Sequence, residues 1–264
     1  MQNYERYSKF INDWAKIRFP ARPSEEEMPI FDELMKQFSG RSLLILGATP
    51  EFRDLAFKNK ADITCVDLNE DMLEGMKQLM QFKNDKEKLI KADWLDMPFE
   101  DESFDAVFAE QSINVIETEK WNKFLDEVKR VLKHKGLFVM KSIVLFDQNE
   151  EEILKKAKLG ERDIFYLYDK ICNMKHFYKN NQRSHKEIGE YMASLLKQGK
   201  ITEKQYKEFI EKWGSLCDAD LKLHALPKEE YEALLAKYLK IKEILYGKDV
   251  ERHSNHPIYV MEKQ

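Results

Sequence analysis

Residues 43–51 read LLILGATPE and combine the signals of a strand, a turn and a helix start. Leu43 to Leu46 is a short apolar run that suits a buried strand. Gly47 opens a turn, Thr49 can cap a helix, and Pro50 fits the first helical position, where a missing N–H costs nothing. The next apolar run, TCVDLNEDM over residues 64–72, brings Asp67 about twenty residues after the turn glycine. A strand, a tight turn, a helix start and an acid at that spacing make up the nucleotide-binding arrangement of a doubly wound α/β fold, in which the acid takes ribose hydroxyls. An adenosine-bearing ligand is the expectation.

The glycines that are missing narrow that ligand. A dinucleotide fingerprint needs G-x-G-x-x-G so that backbone N–H groups can approach a pyrophosphate, and here Gly47 is followed by Ala48, Thr49, Pro50, Glu51 and Phe52. Glu51 in the first helical turn would repel a phosphate, whereas a ligand carrying a ribose, a sulfonium and an ammonium group would tolerate it. S-adenosylmethionine fits better than NAD.

At this point the sequence resembles the class I S-adenosylmethionine-dependent methyltransferases. The likeness continues in order through Asp67, through KADWLDMPF with Asp93 and Trp94, and through FDAVFAEQSINVI, the fourth strand and its loop. It closes with WNKFLDEVKRVLKHKGLFVMKSIVL, a helix ending at Gly136 and then the fifth strand, so that it covers roughly residues 41 to 146. The family's usual first motif is acid-x-G-x-G-x-G. Here Ile45 stands for the acid, Thr49 for the second glycine and Glu51 for the third, as in a subset of the family with a G-A-T-P-E turn.

Composition narrows the rest. The chain has 264 residues, 43% of them hydrophobic and 35% charged, which is ample for one large core or a core with a cap. A net charge of −4 with Lys and Glu interspersed gives no basic face for a phosphate backbone, so no nucleic-acid partner is expected. Cys65, Cys172 and Cys217 lack C-x-x-C spacing, which argues for a reducing compartment and against a disulfide frame or zinc site. With no apolar run of membrane-spanning length, the expected location is the cytoplasm, with no membrane partner.

Hydrophobic periodicity reads as a helix around Tyr7, Phe10, Ile11 and Trp14, then a helix led in by a Ser24–Glu27 capping box and ended by Gly40. Alternation follows: strands near 43–47, 62–67, 88–92, 104–109 and 137–146, with helices near 50–59, 70–82 and 119–134. From Asp147 to about Leu223 the pattern reads as helices only, with capping boxes at Ser184–Glu187 and Thr202–Gln205 and a stop at Gly199. A helix from Pro227 to Tyr238 and two strands, LKIKEILYG and HPIYVME, end the chain. The resemblance makes these the last antiparallel pair of a seven-stranded Rossmann-like sheet in the order 3-2-1-4-5-7-6. The expected organisation is a core of residues 1–148 and 223–264, interrupted between strand 5 and the last helix by a helical insertion or cap at 149–222.

Ligands of open α/β sheets lie beyond the carboxyl ends of the strands. Gly47, Ala48 and Thr49 would let backbone pass close to the cofactor, and Asp67 would accept from both ribose hydroxyls. The family likeness further implies that Leu68 and Met72 pack on the adenine, that Asp93 accepts from its exocyclic amine, and that the Trp94 backbone N–H serves a ring nitrogen. Duller readings stand beside these: Asp67 as a helix cap in competition with Asn69, Asp93 as a turn residue, Trp94 as core. Glu110, after the fourth strand, could pair with the cofactor's ammonium or act as a general base. Asn114 could orient either molecule or be an inward-facing turn residue. Arg22 could bind the cofactor carboxylate or lie at the surface beside the acids of SEEE.

Methyl transfer needs donor and acceptor held in line, water excluded and sometimes a proton removed, so a missing triad is no objection. In the helical block, Ile164, Leu167, Tyr168, Ile171, Met174 and Tyr178 form a stripe that could close an acceptor pocket, although ordinary helix packing explains it as well. Tyr166 and His176, off that stripe, are candidate acceptor contacts, and His224 is a candidate base. His253 and His256 have H-x-x-H spacing without the Glu or Cys of a metal pattern, so no metal is expected and a solvated pair is. No Asn/Asp-Pro-Pro-aromatic segment follows strand 4, which favours a small-molecule acceptor, with a protein kept open. The expected function is S-adenosylmethionine-dependent methylation of a small molecule. The alternatives are a non-catalytic binding module for the same ligand and, less favoured, an NAD(P)-dependent oxidoreductase.

Overall fold

The computed structural model describes residues 20–82, 86–218 and 220–264. The helix expected around Tyr7, Phe10, Ile11 and Trp14 lies outside the described residues. Five parallel strands carry the core: β1 (Ser42–Leu46), β2 (Asp62–Asp67), β3 (Lys88–Lys91), β4 (Phe104–Glu110) and β5 (Leu132–Lys141). Later in the chain come β6 (Gln182–Ser184), β7 (Lys222–His224), β8 (Lys240–Leu245) and β9 (Ile258–Glu262). The seven-stranded sheet runs β3-β2-β1-β4-β5-β9-β8, with β9 antiparallel to both neighbours. This is the order expected from the sequence once the small β6–β7 pair is set aside.

The central strands are apolar on both faces because both faces are covered, as the strands of parallel sheets must be. On one face α1 (Met28–Lys36), α2 (Pro50–Lys58) and α3 (Glu70–Lys77) bury Phe31, Met35, Phe52 and Leu73 against Ile45, Ala106, Phe108 and Val139. On the other, α4 (Trp121–Val131) and α9 (Lys228–Leu235) bury Trp121, Phe124, Val128 and Tyr231 against Leu46, Val107 and Met140. Each large apolar side chain so buried contributes roughly 1.5–3 kcal/mol.

Between β5 and α9 the chain forms α5 (Glu150–Lys158), α6 (Ile164–Cys172), α7 (His185–Lys197) and α8 (Glu203–Asp218). They share a separate apolar cluster in which Leu167, Tyr168, Ile171, Ile188, Phe209 and Trp213 are buried. This stretch is not helical throughout, because β6 pairs with β7 antiparallel across Gln182–His224, Arg183–Leu223 and Ser184–Lys222. A further helix, α10 (Val250–His253), lies between β8 and β9.

Local chemistry accounts for the boundaries. Thr202 and Gln205 form a reciprocal box at 2.9 and 3.2 Å, as do Ser24 and Glu27 at 2.7 and 3.2 Å in the turn before α1. Ser184 caps α7 by accepting from the Glu187 amide. Helix α3 stops at Lys77, short of 82, since the Gln81 and Phe82 amides are drawn to the Asp54 carboxylate on α2. Strand β5 begins at Leu132 rather than 137, and the left-handed position falls on Lys135 (φ 62°) instead of on Gly136.

Candidate cofactor site at the carboxyl edge of the sheet

Gly47 follows the last residue of β1 and adopts φ 108°, a region that favours glycine. Its amide donates to Val66 O at 2.8 Å, which ties the turn to the end of β2. A Cβ on Gly47 would stand 3.8 Å from the Trp94 ring and 4.0 Å from Asp67 Oδ2, so these three residues enclose one spot. Thr49 is the cap position of α2 but makes no side-chain cap bond, and Pro50 occupies the first turn as expected. Ala48 and Thr49 are buried beside it.

Asp67 ends β2, half-buried, with Oδ1 accepting from the Asn69 amide at 2.8 Å. The cap of α3 is Asn69, which accepts from the Met72 amide, so Asp67 is not spent on capping. Burial raises the Asp67 carboxyl above its ordinary value, and the Asn69 amide offsets part of that rise. Trp94 donates its indole N–H to Val66 O at 2.7 Å, which places its ring over the Gly47 turn. Asp93 accepts from the Leu95 amide at 2.9 Å within a tight turn closed by the Asp96 amide. Leu68 is 63% exposed, while Met72 is half-buried against the α1–α3 core.

At the end of β4 the surroundings are ionic. Register pairs Glu110 with Lys141 on β5, and Lys141 Nζ lies 2.5 Å from Glu110 Oε1 and 3.1 Å from Glu27 Oε2, with all three side chains buried. Burial pushes the Glu110 carboxyl up to about 8, with Lys141 opposing and Glu27 and Glu51 reinforcing the rise. Burial works against the charge on Lys141, yet Glu110 and Glu27 hold its pKa above the ordinary value. For Glu27 burial is again the largest influence, but Lys141, the Ser24 amide, His253 and His256 outweigh it and keep the carboxyl low.

Two residues expected to face the cofactor are engaged by protein instead. Arg22 pairs with Glu51, twenty-nine residues on, neither with the acids of SEEE nor as an open fork for a carboxylate. The same contact offsets the negative charge in the first turn of α2. Asn114 is fully buried, donating to His224 O and Ile143 O and accepting from the Ile143 amide and the Ser142 hydroxyl. Its polar atoms are taken, so it ties the loop after β4 to β5 and β7 rather than orienting a ligand. His224 is thereby brought to that loop; burial lowers its pKa, with Glu117 and Glu119 opposing, and its Nδ1 is buried without a hydrogen bond.

The helical block corrects other expectations. The Tyr166 hydroxyl donates to Glu251 at 2.7 Å, so that side chain is held against α10 rather than facing an acceptor. His176 is exposed, packs on Phe177 at 4.2 Å between ring centres and lines a cavity with Phe146, Gln148 and Met174, so that it stays a candidate acceptor contact. The stripe of Ile164, Leu167, Tyr168, Ile171 and Met174 is interior packing of the block. His253 and His256 are not solvated: both are buried, His253 beside Glu26 and Glu27, His256 with Nε2 2.5 Å from Asp169 Oδ1. A Cβ on Gly247 would fall on the His253 ring, so that glycine gives the imidazole its space. Among the described residues no group of three His, Cys, Asp or Glu side chains could hold a metal ion, and no helix is long and apolar enough to cross a membrane.

Reading the sequence had Glu27 only as a capping residue and gave no role to Lys141, Gln111 or Ser112 at this edge of the sheet. Gln111 takes φ 54° and donates its side-chain amide to Pro20 O at 2.5 Å, and Ser112 donates to Leu46 O at 2.9 Å. The available signal was a lysine ending an apolar strand, Lys141 after LFVM. Beside these residues, Arg22, Glu26, Glu51, Asp163, Phe165 and His253 line a cavity of about 630 Å³ between the lead-in to α1, the start of α2 and helix α6.

Comparison with known proteins agrees with this architecture. Residues 46–140 match the family model described as a methyltransferase domain. An uncharacterised protein of Methanocaldococcus jannaschii is 32% identical over 96 residues, covering 36% of this chain and 41% of its own length. The chain spans about two fifths of the length of the curated relatives it matches. A Listeria monocytogenes protein assigned as an S-adenosylmethionine-dependent methyltransferase has a TM-score of 0.57 at 12% identity, over 90% of this chain and 97% of that one. A Rhodobacter sphaeroides protein assigned as a Zn-dependent alcohol dehydrogenase has a TM-score of 0.59 at 16% identity, over 92% of both chains. These two structural likenesses are of fold alone. Residues 46–140 of this chain are thus similar to a methyltransferase domain, carried on a seven-stranded sheet in the order β3-β2-β1-β4-β5-β9-β8.

Proposed function

We propose that the chain transfers the methyl group of S-adenosylmethionine to a small-molecule acceptor in the cytoplasm. The observation that carries the cofactor half is the meeting of Gly47, Asp67 and Trp94 at one spot beyond the strand ends, where a side chain at position 47 would stand within 4.0 Å of both partners. A purine nucleoside fits that spot. Asp67 Oδ2 offers an acceptor to the ribose diol, the Trp94 ring offers a flat apolar surface, and the turn at Gly47 admits close approach. Leu68, Met72 and Asp93 lie beside them on the same edge of the sheet.

When bound, S-adenosylmethionine supplies a methyl group already activated on its sulfonium. The protein then needs only to orient, to exclude water and, for some acceptors, to take a proton. In this reading Glu110 at the end of β4 would pair with the cofactor's ammonium, and His224, buried at the loop that Asn114 anchors, is the candidate base. The cavity beside Arg22 and Phe165 has the size of a small-molecule pocket and is lined by charges of both signs, which suits a polar acceptor.

A non-catalytic module binding the same nucleoside is the second reading, favoured by the single glycine of the first motif. Calorimetric titration with S-adenosylmethionine, S-adenosylhomocysteine and NAD separates nucleoside recognition of this kind from a dinucleotide site. Release of S-adenosylhomocysteine with pooled polar metabolites then distinguishes an enzyme from a module. Binding without release across broad acceptor pools would favour the second reading, and tight binding of NAD alone would overturn both.

A further inference from the structure

Lysine at a strand end is usually solvated, since burying an ammonium costs several kcal/mol unless it is paired and hydrogen-bonded. Lys141 is buried all the same, and it lies between two carboxylates brought from different parts of the chain. Glu110 follows from β4, and Glu27 from the turn closed by the Ser24 capping box. Two carboxylates and one ammonium in a dry place carry one negative charge too many, and the cheapest remedy is a proton held on one carboxyl.

Position selects which carboxyl. Glu27 accepts from the Ser24 amide at 2.7 Å as well as from Lys141, and both histidines, His253 and His256, lie on its side. Among the described residues Glu110 pairs with one cation, Lys141, and faces two further acids, Glu27 and Glu51, the latter already paired with Arg22. These are the charged groups facing it from β5, from the lead-in to α1 and from the start of α2. The strand register sets Glu110 one step beyond Ala109, which pairs with Leu46, so it stands beside Gly47 at the edge of the sheet.

We infer that burial beside the ionised Glu27 holds Glu110 as a neutral carboxyl against the pull of Lys141, with Glu27 and Lys141 as the positioning residues that set how firmly the proton is held, and that a ligand's ammonium group enters beside it as the carboxyl gives its proton to solvent. The balance is simple: the ligand's ammonium arrives already charged, one O–H bond of Glu110 breaks, the proton leaves to buffer, and the ammonium replaces that proton as the positive charge beside the carboxylate, while the ligand's own carboxylate stays outside this spot. Binding of an amino-acid-bearing nucleoside is thus linked to proton release. The inference rests on the cofactor reading given above and adds to it the charge state in which the cleft waits.

The test is isothermal titration with S-adenosylhomocysteine in buffers of different ionisation enthalpy, at pH 7 and pH 9, with adenosine as the control ligand. Glu110, raised to about 8, holds its proton at pH 7 and has lost most of it at pH 9. Close to one proton should be released per S-adenosylhomocysteine at pH 7 and little at pH 9, while adenosine, which has no ammonium group, should release none at either. Glu110→Gln should abolish the release and weaken S-adenosylhomocysteine about tenfold or more, leaving adenosine unchanged. Lys141→Gln should shift the release to higher pH, a change that a merely structural lysine would not produce. Binding of both ligands without proton release would overturn the inference and leave the cofactor reading intact. Failure of both ligands to bind would overturn the two together.

Discussion

His256 Nε2 lies 2.5 Å from Asp169 Oδ1, both side chains wholly buried, and this contact fastens the segment before β9 to helix α6. Asn173 donates to the same carboxylate at 2.8 Å, and Lys170 beside it donates to Ser254 and Asn255. Burial lowers the His256 pKa and would raise that of Asp169, but His256 and Lys170 hold the carboxyl down.

Removing Asp169 strands the buried Lys170 ammonium, 3.6 Å away, and leaves His256 and Asn173 without their acceptor in a dry interior. Asp169→Ala should therefore destabilise the chain by about 3–5 kcal/mol, read from urea unfolding at neutral pH. A change below about 1 kcal/mol would show that the contact does not hold the two parts together.

Acid should weaken the fold. His185 is lowered to about 3 by burial and by Arg183, and burial lowers His224, His253 and His256 as well. A base whose folded pKa is depressed takes its proton first in the unfolded chain, so stability is full above about pH 6.5 and falls as the pH drops towards the folded value. Glu110 acts in the opposite sense, between its ordinary 4.5 and about 8, because its raised pKa favours the folded state in acid. His224, His253 and His256, together with carboxyls held low by their partners such as Glu27, Asp169 and Glu251, add to His185 in the destabilising direction against that one carboxyl. His185 alone should account for about 3 kcal/mol between pH 6.5 and pH 4. Unfolding curves at pH 7, 5.5 and 4 check this, and a flat profile would contradict it.

Asn114 joins the loop after β4 to β5 and β7 through four hydrogen bonds. Asn114→Ala leaves the Ile143 amide and two carbonyls without partners, which should cost about 2–4 kcal/mol of stability. The affinity for S-adenosylhomocysteine, measured at a temperature where the variant is folded, should change less than threefold. A stable variant that binds poorly would restore Asn114 to the cofactor site.

Gly47→Ala forces an alanine to φ 108° and puts a methyl between Asp67 and Trp94. The backbone strain should cost roughly 1–3 kcal/mol, and ligand affinity should fall as well because the methyl occupies the approach to Asp67. Thermal unfolding and calorimetry on the same variant report the two losses separately, and full retention of affinity would place the ligand elsewhere.

How much of this was readable from the residues follows from where the information lies. Leu43–Leu46, Gly47 and Pro50 signal strand, turn and helix through properties of single residues, and the structure has them as read. Parallel pairing was legible because strands alternate with helices, and the full strand order came from the resemblance to the methyltransferase family. Partners distant in sequence were not legible. Arg53 reads as a surface residue of an amphipathic helix, yet it is buried and meets Glu87 on Nε and Nη2 and Leu73 O on Nη1. Lys141 with Glu27, and Asp169 with His256, are likewise pairs whose burial only the assembled fold creates. The β6–β7 pair was missed because its strands are three residues long, too short for a period of two to show.

The most direct test of the central claim is the affinity of Asp67→Ala for S-adenosylhomocysteine against that of the parent chain. Loss of a charge-assisted bond to the ribose should weaken binding by about 1–3 kcal/mol with the fold intact, since Asp67 is half-buried and is not the cap of α3. Unchanged affinity in a folded variant would remove Asp67 from the site and contradict the account of a nucleoside held between β1, β2 and Trp94.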